Sequence, residues 1–255
     1  MARGVVTASA GNMAQGVAWN AKRLGIPCKV VVPDHAPEAK LAAVRRLGAQ
    51  IVKVPFADWW RVMETHQCPG LDGYFIHPVC DRNVIAGNGT IGLEVLEDLP
   101  EVDTILVPYG GGGLSCGIAS AVKATRASTK VFACEVETAA PLSASLAARK
   151  PVEINYTASF VDGIGGKGIL PEMWPLVQRL LDGAIVVNLN EIASSIRFLA
   201  ERCHVIAEGA GAASVAAALS GKVESGKIAC IVSGGNINVE ILARILAGES
   251  FSTAS

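Results

Sequence analysis

The stretch TILVPYGGGGLSCGIASAVKAT, residues 104–125, shows which kind of fold this chain adopts. Its apolar start predicts a buried strand over Thr104–Pro108, and the periodic segment after it predicts a helix over Leu114–Thr125. Four consecutive glycines, Gly110–Gly113, lie between them. Glycines before a helix expose backbone N–H groups that no Cβ obstructs, which favours binding of a phosphate or another anion. A tight turn alone needs only one glycine, so we predict an anion site here.

The rest of the chain repeats this alternation of strand and helix. Most candidate strands are continuous apolar runs, as is typical of parallel strands covered on both faces. Strands are predicted at Lys29–Val32, Gln50–Val54, Tyr74–His77, Thr104–Pro108, Lys130–Glu135, Ala184–Asn188 and Lys227–Val232. Helices are predicted at Met13–Leu24, Pro37–Leu47, Val84–Leu99, Leu114–Thr125, Pro171–Leu181, Glu191–Arg202, Ala212–Leu219 and Val239–Leu246.

This alternation predicts an α/β fold with two lobes of open, mostly parallel twisted sheet and helices on both faces. A boundary near Cys80–Asn83 would separate a small lobe, residues 1–80, from a large lobe, residues 81–255. The glycine-rich segment Lys150–Gly168 has little periodicity. We therefore predict a long loop there, close to a ligand site.

Composition narrows the possible partners and location of the protein. The net charge of −1 over 255 residues favours neither nucleic acid nor an anionic membrane surface. No apolar run approaches the roughly 20 residues that span a bilayer, and no basic-then-apolar leader pattern is present. The seven cysteines are scattered and contain no C-x-x-C pair. We interpret them as reduced thiols of a cytoplasmic protein rather than as a disulfide framework or a zinc site.

Two further loops carry polar groups next to predicted helices. In Ser9–Gly16, the Ser9 hydroxyl and the backbone amides could bind a carboxylate at a helix N-terminus, with Asn12 capping that helix. In Ser233–Asn236, the Ser233 hydroxyl follows a predicted strand and could bond a heterocyclic nitrogen. The simpler interpretation of this second loop is a helix N-cap supplied by Asn236 or Asn238.

In their order along the chain, namely the Ser9 loop, the glycine tract and the Ser233 loop, these three loops resemble the threonine/serine dehydratase group of fold-type II pyridoxal-phosphate enzymes, which are tryptophan synthase β-like in fold. The segments His77–Glu94, Asp162–Gly165 and Glu208–Ala213 resemble further family segments, so the resemblance covers the whole chain. It implies that pyridoxal 5'-phosphate is the cofactor and that L-threonine or L-serine is deaminated to a 2-oxo acid and ammonia. It also implies a homodimer.

The resemblance assigns roles to individual residues of this chain. Cofactor binding falls to Asn12, which contacts the 3′-oxygen, to Ser233, which faces the pyridine nitrogen, to Gly163, which passes beside the cofactor, and to the phosphate-binding residues Gly110, Gly111, Gly112, Gly113 and Leu114. Substrate-carboxylate binding falls to Ser9, Ala10 and Gly11.

The chain also departs from the family pattern. Met13 stands where the motif usually has His, and Ala10 stands where serine racemases have Ser, which favours a dehydratase over a racemase. Glu135 occupies the place of a cation ligand in some members, but Pro141 stands where those members add an Asp. We therefore predict no metal site there.

The family's Schiff-base lysine lies upstream of the Ala-Gly-Asn loop, in a Ser-x-Lys-x-Arg-Gly segment that has no counterpart in this sequence. Lys167, on a predicted loop near the ligand, is a weak candidate to replace it. Three interpretations stay open: a truncated, weak or inactive dehydratase; a non-catalytic ligand-binding remnant; and a cofactor-independent hydrolase of a small-ester substrate. The third would use Ser9 or Ser115 as nucleophile and His77 or His204 as base.

Overall fold

The computed structural model describes residues 3–36 and 38–252 of the chain. Its backbone divides into two compact units, Met1–Val84 and Ile85–Ser255. Each unit contains one four-stranded sheet. The α/β class with parallel sheets is therefore confirmed. The division into lobes at residues 1–80 and 81–255 stays a prediction.

The first unit is built on a parallel sheet with strand order β3-β2-β1-β4. Its elements are β1 (Val5–Ala8), α1 (Asn12–Leu24), β2 (Cys28–Pro33), α2 (Glu38–Arg46), β3 (Gln50–Val54), α3 (Phe56–Thr65) and β4 (Tyr74–Ile76). The sequence analysis missed β1 and α3. Strand β1 has four residues, and α3 is amphipathic with Val62 and Met63 buried, so its apolar face was a signal present in the sequence.

The second unit is built on a parallel sheet with strand order β7-β6-β5-β8. Its strands are β5 (Thr104–Pro108), β6 (Lys130–Val136), β7 (Gly183–Val187) and β8 (Ile228–Cys230). Its helices are α5 (Gly113–Thr125), α6 (Pro141–Ala148), α7 (Trp174–Leu180), α8 (Leu189–Phe198), α9 (Gly209–Leu219) and α10 (Val239–Leu246). Helix α4 (Arg82–Asp98) contains the point where the chain passes from the first unit to the second.

Strand β5 lies at the core of the second unit, and all five of its residues are buried. Helix α9 is buried from Gly209 to Ala217, which explains why that segment consists almost wholly of glycine, alanine and other small residues. Small side chains let a buried helix approach the sheet closely. The core therefore brings the start of α9 next to the loops that leave the sheet.

Several helix bounds differ from the prediction for identifiable local reasons. Helix α8 begins at Leu189 because Asn188 and Glu191 form a reciprocal capping box, and its predicted end at Arg202 is replaced by a π-helical segment, Leu199–Cys203. Helix α6 was not predicted, because its apolar residues are not confined to one face, although Pro141 at its start is a common first helical residue. Pro37, the predicted first residue of the second helix, lies outside the described residues.

Candidate functional site

The glycine tract leaves the carboxyl end of β5 and leads into α5. Gly112 is the N-cap residue of α5 and has φ +96°, a conformation that L-residues with side chains rarely adopt. A Cβ on Gly112 would also lie 3.2 Å from the Tyr109 ring and 3.3 Å from the Met173 methyl group. The first N–H groups of a helix have no intrahelical acceptor, so the tract presents donors to an anion.

Tyr109 adds a polar group that the sequence analysis missed. Its side chain is buried, and its hydroxyl has no hydrogen-bond partner among the described residues. A Cβ on Gly112 would lie 3.3 Å from that hydroxyl, so the hydroxyl sits against the glycine tract. Burial raises the pKa of Tyr109 far above its usual value, which keeps the hydroxyl a proton donor. The position of Tyr109 directly before the glycines was the feature of the sequence that could have marked it as a residue of the anion site.

Gly163 packs directly against the glycine tract. It belongs to a 3-10 turn, Asp162–Ile164, and a Cβ on Gly110 would lie 3.3 Å from its carbonyl oxygen. A Cβ on Gly163 itself would lie only 2.8 Å from the Cβ of Ala210, in the first turn of α9. Three segments distant in sequence therefore meet at this point with no room for larger residues.

The Ser233 loop leaves the same edge of the same sheet. Strand β8 pairs in parallel with β5, and the Ile231 amide donates to the Leu106 carbonyl over 3.0 Å. Beyond it, the carbonyl of Gly234 accepts from the Glu208 amide over 3.0 Å. Ser233 is exposed. Since β5 and β8 are neighbouring parallel strands, their loops emerge at the sheet edge where α/β proteins bind ligands.

The helix-cap interpretation of this loop is confirmed for Asn238, one of its two candidate residues. The Asn238 side chain accepts hydrogen bonds from the amides of Glu240 and Ile241 over 2.7 and 3.4 Å, so it caps α10. Ser233 lies five residues earlier and takes no part in that cap. Its exposed hydroxyl is therefore compatible with a ligand contact.

In the first unit, the loop Ser9–Gly11 joins β1 to α1. The Ser9 Oγ accepts from the Gly11 amide over 3.3 Å, and a Cβ on Gly11 would meet nothing within 4 Å. The prediction that Asn12 caps the helix is wrong, because Gly11 is the N-cap residue and Asn12 is the first residue of α1. The open space at Gly11 leaves the N-terminus of α1 approachable, and half-buried Ala10 lies between these residues.

Glu135 has both carboxylate oxygens engaged by the protein itself. They accept from the amides of Leu142 and Ser143, over 2.7 and 2.8 Å, in the first turn of α6. Burial raises the pKa of Glu135, and the two backbone bonds oppose that rise. The carboxylate thus supplies the cap that α6 otherwise lacks.

The residues considered for hydrolysis do not form a nucleophile–base pair. Ser115 is buried inside α5 and donates to the Gly112 carbonyl, while His77 is buried and bonded to the Met63 carbonyl. His204 is exposed at the end of the π-helical segment. Within the described ranges, neither the Ser9 nor the Ser115 hydroxyl is hydrogen-bonded to a histidine.

Lys167 lies on the loop that follows the 3-10 turn, and its side chain is exposed. Its carbonyl accepts from the Ile154 amide over 2.8 Å, which fixes the backbone of this loop.

Across residues 3–36 and 38–252, no helix is long and apolar enough to cross a membrane.

Residues of the second unit fit the phosphate end of pyridoxal 5'-phosphate. The tract has the glycines that a close backbone approach requires, and the Tyr109 hydroxyl offers a donor without an internal acceptor. The Ser233 hydroxyl follows the adjacent strand. Backbone donors suit the phosphate of such a cofactor, and a hydroxyl is one of the groups that can bond its ring nitrogen.

Comparison with known proteins supports this fit. The L-threonine ammonia-lyase of Thermotoga maritima is 41% identical over 248 residues, which are 96% of this chain and 61% of the relative. The serine racemase of Oryza sativa subsp. indica is 39% identical over 249 residues, covering 94% of this chain and 73% of the relative. The structure of maize serine racemase superposes with a TM-score of 0.85 at 36% identity, covering 97% of this chain and 77% of that one.

The chain spans about three fifths of the length of the threonine ammonia-lyases it matches. A model of one enzyme family, described as pyridoxal-phosphate dependent enzymes, matches residues 1–234, which include the Ser9 loop, the glycine tract and the first two residues of the Ser233 loop. The glycine tract, the two parallel sheets and this match agree with one another. The chain therefore belongs to the family of pyridoxal-phosphate dependent enzymes.

Proposed function

We propose that this chain carries the cofactor-binding and substrate-binding elements of a pyridoxal-phosphate-dependent ammonia-lyase for L-threonine or L-serine. The observation that carries the proposal is the common sheet edge of β5 and β8, where the glycine tract, the Tyr109 hydroxyl and the Ser233 loop occur together. The reaction class follows that of the threonine ammonia-lyases that the chain resembles.

In the second unit, the amides of Gly110–Gly113 and Leu114 bind the cofactor phosphate at the positive end of α5. The Ser233 hydroxyl shares a hydrogen bond with the ring nitrogen, and Gly163 leaves room beside the ring. When bound, the cofactor withdraws electrons from the amino acid, which makes the α-proton acidic and lets the β-hydroxyl depart. A neutral hydroxyl at the ring nitrogen, rather than a carboxylate, favours this elimination.

In the first unit, Ser9, Ala10 and Gly11 bind the substrate α-carboxylate with the first amides of α1. Asn12, the first residue of that helix, is assigned to the 3′-oxygen of the cofactor. Ala10 has no hydroxyl that could carry a proton to the substrate. We therefore assign the chain to the lyases rather than to the racemases that are also among its relatives.

We expect this 255-residue chain, taken alone, to be weak or inactive as a dehydratase. None of its lysines stands in a Ser-x-Lys-x-Arg-Gly segment like that of the family, and exposed Lys167 is the weak candidate for that role. We further propose that the protein is a cytoplasmic homodimer. Its partner molecule in the reaction is a small amino acid.

The proposal is tested by titrating the purified chain with pyridoxal 5'-phosphate, followed by absorbance and protein fluorescence. Saturable binding is expected, and the variant Gly112→Ala should lose at least tenfold in affinity because its φ is positive and its surroundings are closed. The matched control is Gly87→Ala, since a Cβ on Gly87 would meet nothing within 4 Å. Absence of binding by the folded wild-type chain would overturn the proposal.

Two further measurements complete this test. Borohydride treatment and peptide mapping show whether the cofactor becomes attached to a lysine, and attachment at Lys167 would identify it as the replacement. An assay of L-threonine deamination by the same preparation measures activity. Robust turnover by this chain would contradict the expectation that it is weak or inactive alone.

A further inference from the structure

Three side chains that could ligate a transition metal lie together in the first unit. They are His66, His77 and Cys80, and their candidate ligand atoms all lie within 4.8 Å of one another. None of them is among the residues assigned above to the cofactor or to the substrate. The following proposal therefore stands independently of the proposed function.

The fold brings these residues together from two places in the chain. Helix α3 ends at Thr65, and His66 follows it with φ +57° while its amide donates to the Val62 carbonyl over 3.0 Å. His77 directly follows β4, and Cys80 lies three residues further on. The end of a helix and the turn after a strand thus present their side chains to each other.

Hydrogen bonds determine which nitrogen of His77 carries the proton. Nε2 lies 3.0 Å from the Met63 carbonyl, which can only accept, so Nε2 is the N–H donor. The amides of Val79 and Cys80 both donate to Nδ1 over 3.0 Å, so Nδ1 carries no proton and is the ring nitrogen that could ligate a metal. Metal-bound histidines characteristically donate their other N–H to a carbonyl or a carboxylate, as His77 does here.

One of the two sulfur–nitrogen distances matches the edge of a zinc tetrahedron, and the other is shorter. The Cys80 Sγ lies 3.1 Å from His77 Nδ1 and 3.5 Å from His66 Nε2. Zinc bonds of about 2.0–2.1 Å to nitrogen and about 2.3 Å to sulfur at tetrahedral angles would place nitrogen and sulfur roughly 3.5 Å apart. The ring centroids of the two histidines are 4.4 Å apart, and the candidate ligand atoms of all three residues lie within 4.8 Å of one another.

We propose that His66 Nε2, His77 Nδ1 and Cys80 Sγ bind one Zn²⁺ ion, with water in the fourth position. The thiol proton leaves to solvent as the zinc–sulfur bond forms, and the ion replaces the two amides at the lone pair of His77. His66 is exposed and Cys80 is half-buried, so the ion can reach two of the three ligands from solvent. Bound zinc would link the end of α3 to the turn before α4.

Cobalt(II) and zinc(II) titrations of the purified full chain test this proposal. Cobalt should bind at one ion per chain with a sulfur-to-metal charge-transfer band, and zinc should displace it with release of protons into a weakly buffered solution. Cys80→Ser should abolish the band. His66→Asn should weaken zinc binding at least tenfold, while asparagine tolerates the positive φ of that position.

The π-helical segment of the second unit provides matched controls. Cys203→Ser removes an exposed thiol, and His204→Asn replaces an exposed histidine with φ +56° that also follows a helical segment. Both variants should bind zinc and cobalt as the wild type does. A wild-type cobalt complex without the sulfur band, or a band that survives in Cys80→Ser, would overturn the proposal.

Because the Cys80 variant could fail to fold, the thermal unfolding temperature of the wild type and the behaviour of His66→Asn provide a second test. Zinc should raise the thermal unfolding temperature of the wild type and of both controls, because an ion that binds only the folded state stabilises it. His66 is exposed, so His66→Asn should retain the native circular dichroism spectrum. If that folded variant binds zinc with wild-type affinity, the site is not the one proposed.

Discussion

Gly110 and Gly163 approach each other so closely that a Cβ on Gly110 would lie 3.3 Å from the Gly163 carbonyl oxygen. This contact joins the loop after β5 to the 3-10 turn near the start of α9. It holds the predicted anion loop in place by backbone packing rather than by side-chain bonds. The glycines therefore have a structural role as well as the binding role proposed for them.

Gly163→Ala should destabilise the protein by about 1–3 kcal/mol, because the new methyl group would lie 2.8 Å from the Ala210 Cβ. Gly87→Ala is the control: in the exposed part of α4 it should stabilise by about 0.5–1 kcal/mol. Urea unfolding followed by circular dichroism measures both. Equal effects of the two substitutions would show that the packing at Gly163 is not tight.

Tyr109→Phe should have opposite effects on stability and on ligand affinity. Removing a buried hydroxyl without a partner should raise the free energy of unfolding of the ligand-free protein by about 1 kcal/mol. The same change should weaken pyridoxal 5'-phosphate binding roughly tenfold, because the phosphate loses a donor. Unfolding and titration experiments on the same preparations check both signs, and unchanged cofactor affinity would contradict a phosphate contact for Tyr109.

Glu135→Gln should destabilise the protein by about 1–3 kcal/mol, because an amide group cannot accept both N–H groups of the first turn of α6. Glu137→Gln is the matched control, since exposed Glu137 accepts a single bond, from the Leu189 amide. Its effect should be smaller. Chemical unfolding of the two variants measures the difference.

The same Glu135 variant tests a pH dependence. Burial raises the pKa of this carboxyl above its ordinary 4.5. Between pH 4.5 and the pKa of the folded state, the folded chain therefore binds more protons than the unfolded chain. Its contribution to the free energy of unfolding is full below about pH 4.5 and is lost as the pH rises through the folded pKa. The stability difference between wild type and Glu135→Gln should therefore be larger at about pH 4 than at about pH 7. A difference that grows with pH would contradict this sign.

The cysteines should react with iodoacetamide in an order set by exposure and pKa. Cys203 is exposed and should be labelled first. Burial raises the pKa of Cys116 to about 12 and that of Cys230 to about 11, so both should react slowly at neutral pH. Mass spectrometry after timed quenching gives the order, and early labelling of Cys116 would indicate local opening of α5. No disulfide forms among the seven cysteines, all of which lie in the described ranges.

Local patterns in the sequence determined the α/β class, most strands, and the loop from β5 into α5, because apolar runs and glycine tracts express backbone preferences within a few residues. Helix bounds were less accurate where a side chain such as Asn188 or Asp81 bonds nearby amides, as Asp81 does with the amides of Asn83 and Val84.

Only the tertiary structure decided which distant groups meet. The packing of Gly110 on Gly163, the burial of the Tyr109 hydroxyl and the grouping of His66 with Cys80 all depend on contacts between separate elements. The spacing of the cysteines gave no indication of the zinc site that we propose. A sequence pattern cannot show that the end of α3 lies close to the turn that follows β4. Spacing along the chain reports backbone conformation, whereas metal and ligand sites depend on where folded elements bring side chains together.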